Sequence, residues 1–278
     1  MLTAPDLALL GRLGLVYRRP VRGAYAGERR SRRTSRSAEF ADFRPYAPGD
    51  DFRQIDWRAF ARLDRLTVRL YVADDEASLN LVVDASGSMA LGTPAKWVAA
   101  RRLVAALALL GLAGMDRVIV GVLGDAARTP ALRGKARAGR AWSFLEGLAP
   151  DREALPPDAA GLAWTRPGMT VIVSDFLIED IDWAGLLSGL CRRGQEPVLW
   201  QILAGEEESP RMRGDLELVE AETSRRRELT ITSGLVADYL AALAEHRDHL
   251  RRAAAAAGGR FLNTISSDDL GAELRAAA

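Results

Sequence analysis

The sequence predicts an α/β fold: a doubly wound, mainly parallel sheet preceded by a basic N-terminal extension with a small β element. Three observations carry that expectation. From residue 78 onward, short apolar runs without polar alternation, as in strands buried on both faces, recur between segments of helical length. The first and third of these runs close on an aspartate, Asp84 and Asp175. Charge is also split along the chain: residues 1–72 hold 15 Arg against 8 Asp or Glu, and residues 73–278 hold 23 cations against 29 anions. A formal net charge of +1 thus conceals a basic leader and an acidic body. The expected division is an extension over 1–75 and an α/β domain over 76–278.

Composition narrows the class. The 278 residues, 48% hydrophobic and 27% charged, suffice for a buried core and exclude disorder as the main state. A single cysteine, Cys191, excludes a disulfide framework and a multi-cysteine zinc site. It fits a reducing compartment, so a cytoplasmic location is expected. The opening MLTAPDLALLGRLGL carries Asp6 in place of a positive n-region, which argues against a secretory signal. The best apolar run, Leu103 to Met115, has 13 residues. That is short of the roughly 20 that span a bilayer, and it reads as a buried helix.

Taken in order, Leu7 to Val16 shows helical leucine spacing. Arg18 to Ser37 holds eight arginines and no periodic apolar face, the pattern of a solvated loop. Glu39 to Asp74 interleaves aromatics with Arg and Asp, the aromatics expected to anchor and the charges to stay wet. Within it Pro48-Gly49-Asp50-Asp51 marks a turn, and Leu66, Val68, Leu70 and Val72 alternate as a half-exposed strand, expected antiparallel to the segment after it. LNLVVDAS is the first core strand, and Thr93-Pro94 offers a cap and a first-turn proline for a helix to Gly114. VIVGVLGD, MTVIVSDFL and EPVLWQILA are the next buried strands. Helices are expected at GRAWSFLEGLAP, at Ala159 to Thr165 and at IDWAGLLSGLCRRG. LELVEAETSRRRELTI reads as a hairpin, Ser233 as the cap of a helix to Ala257, GGRFLNTI as the last strand, and SSDDLGAELRAA as a closing helix capped by Ser267. Strands alternating with crossover helices give a parallel, doubly wound sheet.

Such sheets bind ligands beyond the carboxyl ends of their strands. There the first core strand ends Asp84-Ala85-Ser86-Gly87-Ser88 and the third ends Ser174-Asp175. One carboxylate and two hydroxyls spaced by two residues can turn toward a common point, with Gly87 giving the backbone room. Oxygen-only donors of this kind suit Mg²⁺, Ca²⁺ or Mn²⁺, and Asp175 can join directly or through water. The bland alternative is that Asp84, Ser86 and Ser88 cap the next helix or hold a turn. Two acidic strand ends on neighbouring strands favour a cation or a hydrogen-bond network, because bare like charges there are costly.

Asp84-x-Ser86-x-Ser88 at the end of an apolar strand, with Asp175 in VIVSDFL, resembles the metal-ion-dependent adhesion site of von Willebrand factor A domains. RRSRRTSRSAEFADFRPYAPGDDFRQIDWRAFARLDRLTVRLY resembles the signature of the DUF58 family: a basic loop, an E-F-x-x-x-R-x-Y-x-P-G-D-D box and an I-D-W-R-x-x-A-R box ahead of an A-type domain. The resemblance implies a Rossmann-like, von Willebrand A-like domain whose ion, held by Asp84, Ser86, Ser88 and Asp175, offers an open position to an acidic group of a partner. It also implies a partner class, a MoxR-type AAA+ ATPase or its client, and no enzymatic activity. One departure stands out: the adhesion-site threonine has no counterpart in APDREALPPDAAGLAW, where Asp151 and Glu153 lie nearest.

Other candidates carry less. His246 and His249 share a helix face, where with Glu245 or Asp248 they could hold zinc, but a solvated polar face is the better reading. Cys191 reads as a core thiol. No P-loop, G-x-G-x-x-G or G-x-S-x-G occurs. Two rival functions stay open: metal-dependent phosphoryl hydrolysis by Asp84 and Asp175, and nucleic-acid binding through the Arg-rich loop with Tyr17 and Tyr25. The first lacks a phosphate-cradling loop and a general base; the second sits poorly with an acidic body.

Overall fold

The computed structural model describes residues 2–13, 39–45, 57, 60, 66–72, 78–114, 116–151, 167–178, 181–219 and 226–276. Two compact units result, Val21–Glu76 and Met1–Pro20 with Ala77–Ala278. In the smaller, β1 (Glu39–Pro45) pairs antiparallel with β2 (Thr67–Val72). The alternating strand therefore finds its partner before it in the chain, where one after it was expected. Trp57 and Phe60, expected as anchors, are exposed and meet edge to face at 6.3 Å. The Arg-rich loop, most of the two family boxes and the helix expected at Ala159 to Thr165 lie outside the described residues.

The larger unit opens with α1 (Ala4–Leu10), shorter than the leucine spacing suggested. Thr3 and Asp6 form a capping box over it, and Leu10 is buried in the core of this unit rather than belonging to a separate extension. The central sheet consists of β3 (Ser78–Val83), β4 (Arg117–Val122), β5 (Gly168–Ser174), β6 (Gln195–Leu203) and β9 (Arg260–Ile265). Its order is β4-β3-β5-β6-β9 with every neighbour parallel. An antiparallel hairpin, β7 (Gly214–Val219) with β8 (Arg226–Ile231), lies outside it. The expected doubly wound α/β architecture is what the chain forms.

Side-chain alternation explains why both faces are dry. Leu79, Leu81 and Val83 of β3 point into one apolar cluster, with α2 (Lys96–Ala113), α3 (Ala138–Glu146) and α7 (Leu270–Ala276). Val82 points the other way, to α4 (Trp183–Arg192) and α6 (Ser233–Ala256). A sheet covered on both faces needs continuous apolar strands, as the runs have. Helix α2 is buried nearly all round, and its Ala- and Leu-rich text supplies both high helix propensity and close packing.

Three helix starts differ from expectation. Helix α2 begins at Lys96, with Ala95 rather than Thr93 at its cap. Thr232, not Ser233, caps α6 through its hydroxyl to the Leu235 amide. Ser267 lies before the closing helix and bonds Asp269, whose carboxylate in turn accepts from the Gly271 amide. In each case the competing hydroxyls sit within one turn of the true start, and local backbone geometry decides among them.

Candidate functional site

Strand order reverses between β3 and β5: the chain leaves β3 for β4 on one side and returns to β5 on the other. The carboxyl ends of this pair are the switch point where a doubly wound sheet opens a crevice. Asp84 follows β3 and Asp175 follows β5, and the Asp84 amide donates to the Val173 carbonyl at 2.9 Å, so the two ends are tied in register.

Both carboxylates are buried, and so is Ser86. Asp84 Oδ1 accepts from the Ser86 amide at 2.9 Å, and Oδ2 from the Ser174 hydroxyl at 2.6 Å. Ser88 Oγ donates to Asp175 Oδ2 at 2.9 Å, and lies 3.1 Å from Ser86 Oγ. Since Ser88 spends its only hydrogen on Asp175, Ser86 is the donor in the hydroxyl pair. Burial, then the neighbouring Asp175, pushes the Asp84 carboxyl above the usual range, against the opposing bonds from Ser174 and Ser86. The four residues singled out from sequence therefore form one connected cluster, and it reaches the surface at Gly87 and Ser88, both half-buried.

Several members of the cluster carry no signal in the strand-end motif. Lys96, the first residue of α2, is fully buried, with its ammonium 2.7 Å from Asp175 Oδ2 and 2.6 Å from Glu207 Oε1. Burial pulls that ammonium down, but Asp175 and Glu207 outweigh it and hold it above the ordinary lysine value. Glu207 sits on the short helix α5 (Gly205–Glu208), and its Oε2 accepts from the Ala204 amide. Next to it Glu208 pairs with Arg247 of α6, which holds its carboxyl below the usual range. Arg247 Nε donates to Gln201 Oε1 at 2.8 Å, and Gln201 Nε2 donates to the Asp175 carbonyl at 2.8 Å. The bonds close a ring from Asp175 through Lys96, α5, Arg247 and Gln201 back to Asp175. A hint of it was present in the composition: Lys96 is one of two lysines among 38 basic residues.

The turn after β5 is tightly held. Phe176 is fully buried with φ of 57°, a left-handed conformation costly for an aromatic residue. Ser174 Oγ accepts its amide at 2.9 Å, and His246 Nε2 lies 2.7 Å from its carbonyl, so this nitrogen carries the proton. His246 is thus half-buried and occupied by the site turn, while His249 is exposed as expected. Among the described residues no group of three or more His, Cys, Asp or Glu is arranged to hold a metal ion. The zinc alternative therefore has no geometry behind it there.

The two-carboxylate, two-hydroxyl cluster fits a small hard cation on its own terms. Ligands about 2.1 Å from Mg²⁺ at right angles lie about 3.0 Å apart. Ser86 Oγ to Ser88 Oγ and Ser88 Oγ to Asp175 Oδ2, at 3.1 and 2.9 Å, have that spacing. Asp151, one of the residues nearest the missing threonine, is exposed, and Glu153 lies outside the described residues.

A parallel doubly wound sheet with an Asp-x-Ser-x-Ser turn and a second aspartate at its switch point defines an α/β domain built around a polar carboxyl-end platform. The family model described as "Protein of unknown function DUF58" matches residues 42–249, and the chain belongs to that family. It is 31% identical over 279 residues to "Uncharacterized protein Rv1480" of Mycobacterium tuberculosis, a match covering 94% of this chain and 85% of the relative. "Uncharacterized protein Mb1516" of Mycobacterium bovis matches equally. Among solved structures, BatB from Bacteroides thetaiotaomicron matches at TM-score 0.43 and 13% identity, over 72% of this chain and 94% of that one. An aerotolerance-related membrane protein from Bacteroides fragilis matches at TM-score 0.44 and 14% identity, over 72% and 96%. Among the described residues no helix is long and apolar enough to cross a membrane.

Proposed function

We propose that this chain is a non-enzymatic protein-interaction module of the von Willebrand factor A kind, whose binding face is the carboxyl-end platform of the sheet. Asp84, Ser86, Ser88 and Asp175 are the residues that would hold a divalent cation there, Mg²⁺ in preference to Ca²⁺ or Mn²⁺. When bound, such an ion supplies an open coordination position for a carboxylate of the partner. The partner is a MoxR-type AAA+ ATPase or its client, met in the cytoplasm, where this module takes part in maturing or assembling other proteins.

The observation that carries the reading is the convergence of the Ser86, Ser88 and Asp175 oxygens, 3.1 and 2.9 Å apart, where the Asp84 turn reaches the surface at Gly87 and Ser88. Ser174 and the Ser86 amide orient Asp84, so that the turn presents both serine hydroxyls together.

Affinity capture from native extract, with Mg²⁺ and with EDTA, tests this. The ATPase is expected to copurify only with Mg²⁺ present and only with the native chain, not with Asp84→Ala. Capture unchanged by both EDTA and Asp84→Ala would sink the reading. A Mg²⁺- or Mn²⁺-dependent phosphatase activity lost in Asp84→Ala would replace it with the hydrolase alternative.

A further inference from the structure

The lysine at the head of α2 is not among the proposed ion ligands, yet it touches the same carboxylate oxygen as Ser88. Lys96 Nζ and Ser88 Oγ both donate to Asp175 Oδ2, at 2.7 and 2.9 Å. The two donors are not equivalent. A serine hydroxyl can turn its hydrogen away and offer a lone pair to an ion; an ammonium has three donors and no lone pair, so it can only compete. Residue type supports the distinction. In a chain whose cations are otherwise almost all arginine, this position holds a lysine, a compact point charge in contact with two carboxylates. Of the side chains around Asp175, Lys96 is the one whose form and charge imitate a bound cation.

From these contacts we infer that Lys96 is the resident cation of the platform, bound to Asp175 when no divalent ion is present and displaced from that oxygen when one enters. The inference rests on the divalent-binding reading of Asp84, Ser86, Ser88 and Asp175 and adds what sets its affinity. Entry of the ion breaks the Lys96–Asp175 pair and leaves two cations close together in a buried site, so the native chain binds divalent ions weakly. The departing ammonium keeps a partner, because Glu207 Oε1 already holds it at 2.6 Å. Lys96 then answers to α5 alone, and the ring through Glu208, Arg247 and Gln201 loses its link to the Asp175 side chain. Ion binding at the strand ends is thereby reported to α5 and α6, elements that do not touch the ion.

The test is calorimetric titration of MgCl₂ and MnCl₂ into the full native chain and into Lys96→Met, which keeps length and removes charge. Lys96→Met is expected to bind either ion tighter by about tenfold or more, from relief of like-charge repulsion in a buried site. Lys96→Arg, still cationic, is expected to show no such gain. Native and Lys96→Met chains binding the ion equally overturn the resident-cation inference while leaving the platform standing. Heat in neither chain removes the platform reading and the inference with it.

Because Lys96→Met leaves buried Asp175 and half-buried Glu207 without their cation and can unfold, a second measurement uses the native chain. With ¹⁵N-lysine labelling only Lys96 and Lys135 carry signals, and Lys135 is exposed, so it serves as the internal control. The Lys96 ammonium resonance is expected to be visible and slowly exchanging without divalent ions, to shift on adding Mg²⁺ and to broaden with Mn²⁺. A Lys96 signal indifferent to saturating Mg²⁺ overturns the proposal.

Discussion

Ser174→Ala isolates the hydroxyl on which the platform turns depend. Ser174 Oγ donates to Asp84 Oδ2 at 2.6 Å and accepts the Phe176 amide at 2.9 Å, and all three residues are almost fully buried. Alanine removes one hydrogen bond to a buried carboxylate, worth about 1.5–3 kcal/mol, and leaves the Phe176 N–H without its acceptor, at about 1–3 kcal/mol. The two losses share one relaxing turn and so do not add in full, which gives an expected destabilisation of about 3 kcal/mol. Asp84→Asn separates the contributions. It discards the buried charge that Ser174 serves, and with it both the burial penalty and the repulsion from Asp175 that raise the Asp84 carboxyl above its usual range. In a double-mutant cycle the Ser174→Ala cost should therefore shrink by at least about 1 kcal/mol when Asp84 is already Asn. Urea unfolding followed by tryptophan fluorescence, in EDTA so that no divalent ion contributes, measures all four corners. A Ser174→Ala loss below about 0.6 kcal/mol, or strict additivity with Asp84→Asn, would refute the claim that this hydroxyl secures the carboxylate and the turn together.

Packing elsewhere leads to two further outcomes. The Glu273 carboxyl is pushed up to about 7, chiefly by burial, while Arg102, 2.7 Å away, opposes the shift. A folded value above the unfolded one means that stability from this residue is fullest below about pH 4.5 and is lost as pH rises through about 7. Urea midpoints of native and Glu273→Gln chains at pH 5 and pH 8 should show that pH-linked difference, of about 2–3 kcal/mol; parallel pH profiles would refute it. Gly168 opens β5 directly beside Ser78 of β3, and a Cβ there would collide with the Ser78 backbone. Gly168→Ala should cost about 2 kcal/mol or more and lower the thermal midpoint by several degrees, since neither strand can move without breaking the parallel ladder; an unchanged midpoint in a thermal scan contradicts the packing described for this pair.

What the sequence determined by itself was local and periodic. Continuous apolar runs such as LNLVVD and MTVIVSD had to be strands buried on both faces, and the aspartates closing them had to fall on the ligand-binding edge of a parallel sheet. Asp84, Ser86 and Ser88 were legible because a turn of five residues brings them together, and Asp175 because it ends the neighbouring strand. Tertiary structure alone decided what surrounds them. Lys96 meets Asp175 across 79 positions and Glu207 across 111, while Arg247 reaches Gln201 across 46. No spacing rule encodes such pairs, since each depends on how far α2, α5 and α6 lean over the strand ends. The same holds for the role of a single group. Ser174 looked like the last residue of a strand, His246 like part of a wet helix face, and Lys96, one of two lysines, had no spacing that tied it to a site. Burial changed each of them: where water is excluded, every donor must find an acceptor and every charge a counter-charge, and only the packed fold assigns which.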